Sequence, residues 1–195
     1  GGPRSRGRGR WGAGPRQRWL SRENINTDLT RFVVTRILVI SDTHSKSLSA
    51  LPKKLFTEIS AADIVVHCGD YSALSLLHEL RDISKKFVGV YGNIDPIEIR
   101  REVPDKKTFE VCGKRVGVIH PHWGGAPFGI EEAIVKEFTD VNLILFGHTH
   151  DAWTGTVDSV TLLNPGQAYS AYTDKATAGI VTVGAEGFKV EIISF

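Results

Sequence analysis

The sequence predicts an α/β fold, arranged as a four-layer α-β-β-α sandwich of two facing mixed sheets with a cleft at the carboxyl ends of the strands. Two observations predict it. Apolar, β-branched runs alternate with helical patterns in the first half of the chain, and short strands separated by turns fill the second half. Alternating strands and helices build parallel sheets from βαβ units, and ligands bind outside the carboxyl ends of such strands.

The first half of the chain is predicted to form three strands with two helices between them. Continuous apolar runs at Arg36–Ile40, Asp63–His67 and Phe87–Tyr91 are typical of strands that are buried on both faces. Leucine and isoleucine recur at helical spacing from Leu51 to about Ser60 and from Ser72 to about Asp82. This order predicts the parallel part of the fold.

The second half is predicted to be mainly antiparallel. A hairpin turns at Cys112-Gly113-Lys114, between strands at Thr108–Val111 and Arg115–Ile119. A helix is predicted from Gly129 to Phe138, and a buried strand at Val141–Phe146. The last third predicts antiparallel strands joined by turns, at Trp153–Val157, Val160–Leu163, Gly179–Val183 and Lys189–Ile193.

Length and composition predict one domain that does not cross a membrane. The 195 residues are enough to bury a hydrophobic core. No apolar run approaches the roughly 18 residues that a membrane helix needs. The two cysteines, Cys68 and Cys112, are predicted to be reduced thiols of a cytoplasmic protein. We expect a monomer or a small homo-oligomer.

Charge is distributed unevenly along the chain. The first 36 residues contain nine arginines and only two acidic residues, whereas the remainder has 15 basic and 20 acidic residues. We expect residues 1–35 to be a disordered Arg/Gly-rich tail, or a leader or vector-derived segment, and residues 36–195 to be the folded domain. An arginine-rich arm that binds nucleic acid is an alternative for the tail, which the acidic domain does not favour.

Polar side chains follow the predicted strands in five short motifs. Their carboxylate oxygens and imidazole nitrogens suit a pair of divalent transition metals, so the predicted cleft is a metal cleft. The remaining histidines, His67 and His78, are predicted to have ordinary packing or surface roles. The motif residues are Asp42 and His44, Asp70 after Gly69, Asn93 after Gly92, His120 with His122, and His148 with His150.

The order Asp-x-His, Gly-Asp, Gly-Asn, His and Gly-His-x-His resembles that of the calcineurin-like metallophosphoesterase superfamily. Gly92-Asn93-Ile94-Asp95 and Asn164-Pro165-Gly166 make the chain similar to the compact YfcE-type phosphodiesterases. The resemblance begins near Arg36 and implies hydrolysis of a phosphodiester by in-line attack of metal-bound hydroxide. The substrate expected is a small phosphodiester or phosphomonoester.

Carried over to this sequence, the resemblance implies two metal sites bridged by Asp70. The expected cations are Mn²⁺ first, with Ni²⁺, Fe²⁺ or Zn²⁺ also suited to mixed nitrogen and oxygen ligands. The ligands implied are Asp42, His44 and His150 for the first metal, and Asn93, His120 and His148 for the second.

The chain departs from many relatives directly after Asn93, where Ile94 replaces a histidine that protonates the leaving group. Asp95 and His122 are therefore candidate catalytic residues beside Asp70 and Asn93. Asp95 either orients a neighbour or assists the leaving group, and His122 either donates a proton or contacts the phosphate. Without a strong general acid, good leaving groups are expected.

Two other functions were weighed against catalysis. The superfamily's retromer subunit has lost metal ligands and works through protein contacts, which makes a protein-binding scaffold one alternative. A nuclease that uses the basic tail is another. All seven expected metal-ligand positions carry competent residues here, which favours the enzyme.

Overall fold

The computed structural model of the chain describes residues 1–2, 34–121, 123, 129–170 and 175–195. Most of the predicted tail, residues 3–33, lies outside this part, and so does His122. The predicted strands are all found, with ends that differ by a few residues.

Five strands form the first sheet: β1 (Thr35–Ile40), β2 (Ile64–His67), β3 (Phe87–Gly89), β9 (Thr177–Gly184) and β10 (Gly187–Ser194). Their order is β10-β9-β1-β2-β3. Strands β1, β2 and β3 are parallel to one another, and β9 is antiparallel to both β1 and β10. The carboxyl ends of the three parallel strands therefore lie at one edge of the sheet.

The second sheet also has five strands: β4 (Lys106–Val111), β5 (Lys114–Ile119), β6 (Leu143–Phe146), β7 (Ala152–Val157) and β8 (Val160–Pro165). Their order is β4-β5-β6-β8-β7. The predicted hairpin between β4 and β5 turns through Cys112 and Gly113, whose φ angles of 48° and 70° fit a two-residue turn with the twist of the strands.

The prediction that the last strands are all antiparallel was wrong for β8. This strand is antiparallel to β7, its hairpin partner, but parallel to β6 on its other side. The reason is that β7 occupies the edge of the sheet and β8 folds back between β7 and β6. The chain reverses between β6 and β7 and again at the β7–β8 hairpin, so β8 runs in the direction of β6.

In the part of the chain that the structure describes, four α-helices cover the sheets: α1 (Lys53–Ala61), α2 (Leu74–Ile83), α3 (Ile97–Arg100) and α4 (Glu131–Lys136). Helix α1 begins only after Pro52, whose ring fixes φ and removes an amide donor. Helix α4 is shorter than the helix predicted from Gly129 to Phe138. No helix among the described residues is long and apolar enough to span a membrane.

Three apolar clusters separate four layers, which confirms the predicted sandwich. Leu38 and Ile40 of β1 pack with residues of α1 and α2, whereas Ile37 and Val39 face the second sheet. This alternation follows from the two-residue period of a strand. On the outer side of the second sheet, Ile134 of α4 belongs to the third cluster. The core thus holds the carboxyl ends of the parallel strands of both sheets close together.

Candidate metal centre

The motif residues leave the strands in left-handed backbone conformations. A positive φ is uncommon for residues other than glycine, and such strain concentrates at functional sites, where each residue costs about 1–3 kcal/mol. Here it turns the chain sharply just beyond the strand ends. The φ angles are 51° for Asp42, 43° for His44, 61° for Asp70, 87° for His148 and 63° for His150.

The glycines of the motifs are required by close packing between neighbouring loops. A Cβ atom on Gly92 would clash with the carboxylate and the amide nitrogen of Asp70. A Cβ atom on Gly69 would lie 2.6 Å from Nδ1 of His120. On Gly147 it would clash with the hydroxyl of Ser41. The motif loops therefore approach one another more closely than any side chain on these glycines would allow.

One group of ligand atoms comes from the loops after β1 and β6. Nε2 of His44 lies 3.3 Å from Nε2 of His150, and Nε2 of His150 lies 3.4 Å from Oδ1 of Asp42. These three residues offer ligand atoms that all lie within 4.8 Å of one another. They could hold one cation between them.

A second group brings both sheets together around Asn93. Its Oδ1 lies 2.9 Å from Nε2 of His120 and 3.0 Å from Nδ1 of His148. Asp70 lies between the groups, because its Oδ2 is 3.5 Å from Nε2 of His120 and 4.0 Å from Nε2 of His44. Asp42, Asp70 and His120 also place ligand atoms within 4.8 Å of one another.

Hydrogen bonds on the outer side of two histidines fix which ring nitrogen carries the proton. Nδ1 of His120 donates to the carbonyl of Cys68 at 2.7 Å, and Nδ1 of His150 donates to Oε1 of Gln167 at 3.0 Å. In a neutral ring, Nε2 is then an unprotonated acceptor. Both Nε2 atoms face other acceptor oxygens at 2.9–3.5 Å. Acceptors that face acceptors fit a cation between them.

Burial supports the same fit. Asp42 is fully buried, and its Oδ1 accepts no hydrogen bond from the described residues. Without a cation, burial raises the pKa of Asp42 to about 7, against the lowering effects of Ser41 and His150. Burial also raises the pKa of Asp70 and lowers the pKa of His44. Each shift disfavours the charged form, which a divalent cation would restore in the carboxylates.

The carboxylate of Asp95 is bound by backbone amides. Its Oδ1 accepts hydrogen bonds from Tyr71 at 2.7 Å and Ser72 at 3.0 Å, and its Oδ2 accepts from Gly92 at 2.8 Å and Asp70 at 3.0 Å. These contacts tie the Asp70 loop to the Asn93 loop. They correspond to the orienting role, one of the two roles predicted for Asp95.

Two supporting residues were missed or undervalued in the sequence. Gln167, which no sequence motif singled out, accepts a hydrogen bond from Nδ1 of His150 at 3.0 Å. Asn164 donates to Thr149 at 2.8 Å and so fixes the turn between His148 and His150. The signal in both cases was a polar side chain at the end of a buried strand.

The structure places the two remaining histidines as predicted. His67 is fully buried, stacks on Tyr71 with 3.7 Å between ring centroids, and lies 3.1 Å from the hydroxyl of Thr43. His78 pairs with Glu102 at 2.8 Å on the surface. Neither residue belongs to the two groups of ligand atoms.

Comparison with protein families matches residues 35–186 to the calcineurin-like phosphoesterase superfamily domain. The chain belongs to this superfamily. The resemblance drawn from the motifs is thereby confirmed.

Two archaeal members of the calcineurin-like superfamily are similar in sequence, both from Methanocaldococcus jannaschii. The probable metallophosphoesterase MJ0623 is 35% identical over 133 residues, which span 66% of this chain and 65% of MJ0623. The chain therefore covers slightly less than two thirds of that relative. Phosphodiesterase MJ0936 is 27% identical over 159 residues, which span 75% of this chain and 92% of MJ0936.

Solved structures of other proteins share the fold of this chain. The solution structure of Thermotoga maritima protein TM1076 superposes with a TM-score of 0.66 at 29% identity, covering 83% of this chain and 99% of that one. A zinc complex of Vps29 from Entamoeba histolytica has a TM-score of 0.59 at 23% identity, covering 82% and 98%. The second likeness concerns the fold alone.

Proposed function

We propose that the protein is a cytoplasmic, dinuclear metal-dependent phosphodiesterase. The observation that carries the proposal is the meeting of unprotonated imidazole nitrogens with carboxylate and amide oxygens at 2.9–3.5 Å. The phosphodiesterase name of MJ0936, which the chain covers over 92% of its length, supports the reaction class.

In this proposal the residues would hold two cations, as the family resemblance implies. Asp42, His44 and His150 would hold the first, Asn93, His120 and His148 would hold the second, and Asp70 would be shared by both. Mixed nitrogen and oxygen donors suit Mn²⁺ first, with Ni²⁺, Fe²⁺ or Zn²⁺ as alternatives. When bound, the pair supplies polarisation of the phosphoryl oxygens and a hydroxide for in-line attack.

The side chains around the cluster determine which substrates react. Ile94, directly after Asn93, has no proton to donate, and the four amides on Asp95 hold that carboxylate in its orienting role. His122, outside the described residues, is the proposed proton donor or phosphate contact. With so few candidate proton donors, the enzyme should prefer esters with good leaving groups.

The direct test is hydrolysis of bis(p-nitrophenyl) phosphate with added Mn²⁺. Asp70→Ala and His148→Ala should each lower kcat/KM by at least about 1,000-fold, a large share of the acceleration typical of enzymes. His78→Ala, which changes a surface histidine, is the control and should change it less than twofold. EDTA should abolish activity and Mn²⁺ should restore it. Equal losses in the three variants would refute the assignment.

A protein-binding scaffold is the second candidate, because Vps29 structures share the fold. Efficient hydrolysis of a phosphodiester would favour the enzyme over the scaffold. The nuclease alternative has its own test, which is deletion of residues 1–22 followed by an oligonucleotide cleavage assay. Unchanged cleavage by the deletion variant would exclude a role for the tail.

A further inference from the structure

A groove of about 430 Å³ lies beside the candidate metal centre. Its walls include Leu51, Pro52, Tyr169 and Phe195, and it reaches Ser45, the residue after His44. Leu51 is buried, and Tyr169 and Phe195 are half-buried. The described residues that line the groove include aliphatic and aromatic side chains but no acid, lysine or arginine.

Tyr169 connects this groove to the metal centre. Its ring stands edge-on to the imidazole of His44, with 5.4 Å between centroids and 83° between planes. It stands in the same way to His150, at 6.4 Å and 85°. A phosphate bound at a cation held by His44 and His150 would therefore lie close to the ring of Tyr169.

The position of Tyr169 is fixed by the same side chain that binds His150. Nε2 of Gln167 donates to the carbonyl of Tyr169 at 3.2 Å, while Oε1 of Gln167 accepts from His150. Gln167 is itself buried. Gln167 thus fixes the position of Tyr169, in the wall of the groove, relative to His150 of the candidate metal centre.

A second groove, of about 400 Å³, includes His150 in its lining and is more polar. It is lined by Gln167, Asp151, Lys175 and Thr177 among others. A phosphodiester has two alcohol groups, and the surface beside the centre offers an apolar groove and a polar groove.

We propose that the groove at Tyr169 binds an aromatic alcohol group of the phosphodiester substrate. The proposal rests on the proposed function and adds a substrate class to it. Aromatic rings gain from edge-to-face or offset contact with one another in addition to the burial of their area. A flat apolar group on the phosphate would make these contacts with Tyr169, and a small aliphatic group would not.

Binding of two phosphonates tests the groove without requiring catalysis. Phenylphosphonate and methylphosphonate carry the same phosphorus group on carbon and differ in the aromatic ring. In calorimetric titrations of the Mn²⁺-loaded protein, we expect phenylphosphonate to bind about tenfold more tightly. Tyr169→Ala should remove this preference, Tyr169→Phe should keep it, and Phe56→Ala, which removes an exposed ring from α1, should also keep it.

Kinetics with a constant leaving group give the second arm. For p-nitrophenyl phenyl phosphate and for methyl p-nitrophenyl phosphate, each of which carries an aromatic alcohol group, Tyr169→Ala should raise KM about tenfold with kcat little changed, whereas Tyr169→Phe should leave both KM values the same. Equal binding of both phosphonates by the wild type would overturn the proposal. So would an equal loss of both in Tyr169→Ala, since the ring would then act through the metal centre. If the wild type binds phenylphosphonate selectively but hydrolyses neither ester, the proposed function is refuted. The proposal that the groove binds an aromatic group would still stand.

Discussion

Replacing Asp42 by asparagine should stabilise the metal-free protein above neutral pH. Burial raises the pKa of this carboxyl from 3.8 to about 7, so the folded protein holds the proton more tightly than the unfolded chain does. Between these two values the folded state carries more bound protons, and the free energy of unfolding therefore falls as the pH rises. Above pH 7 the carboxylate is ionised in both the folded and the unfolded state, and the free energy of unfolding falls no further because of this group.

The size of the effect follows from the shift. A shift from 3.8 to about 7 corresponds to about 4 kcal/mol. Asparagine has nearly the same volume and keeps an oxygen for the amide of His148, which donates to Oδ2 of Asp42 at 3.1 Å. We therefore expect the free energy of unfolding of Asp42→Asn to be about 2–4 kcal/mol higher than that of the wild type at pH 8. This difference should become smaller as the pH falls towards 4.

Urea unfolding in EDTA at several pH values, followed by circular dichroism, measures this difference. Asp63→Asn is the control with the opposite sign, because the amide of Arg36 and the nearby Lys85 lower the pKa of Asp63. That variant should lose stability at pH 8 and match the wild type in acid. If Asp42→Asn is less stable than the wild type at pH 8, the ionised carboxylate of Asp42 does not destabilise the folded protein, and the prediction is wrong.

Three further predictions concern the residues that support the centre. Gln167→Leu removes the acceptor for His150 and should weaken Mn²⁺ binding by about 10–100-fold in calorimetry; unchanged affinity would contradict the role. Asp95→Asn places an amide against backbone donors and should lower the free energy of unfolding by about 1–3 kcal/mol in urea, whereas an unchanged midpoint would mean that the four bonds contribute nothing. Gly92→Ala forces a methyl group against Asp70 and should abolish Mn²⁺ binding, and retained binding would show that the loops can separate.

The sequence was sufficient to predict the sheets and the ends where the motifs lie, because both signals are local. A continuous run such as Arg36–Ile40 has no polar face, so it had to be central, and the polar residues that follow had to be at its carboxyl end. The parallel direction of β8 was not local. It depends on β7 taking the edge of the sheet, a choice that no pattern within either strand encodes.

The supporting contacts could not be predicted, because they join residues whose types have many ordinary uses. Gln167 meets His150 across 17 positions, and Asp95 meets the amide of Tyr71 across 24. The residue type alone does not predict which distant residue a buried glutamine, or an aspartate after a turn, will contact. The glycines were readable as turn residues, but the clash that Gly92 avoids involves a loop from another strand.

The left-handed loops and the raised pKa of Asp42 have one consequence in common. Left-handed residues that are not glycine cost free energy, and a buried carboxylate without a hydrogen bond on Oδ1 costs more. Both costs fall on the segments that hold the candidate ligands. A ligand that binds only the folded state stabilises it in proportion to the logarithm of its concentration over Kd. Mn²⁺ should therefore raise the melting temperature of the wild type more than that of Asp42→Asn, because asparagine relieves the cost and removes a charge that attracts the first cation, while the ligands proposed for the second cation remain.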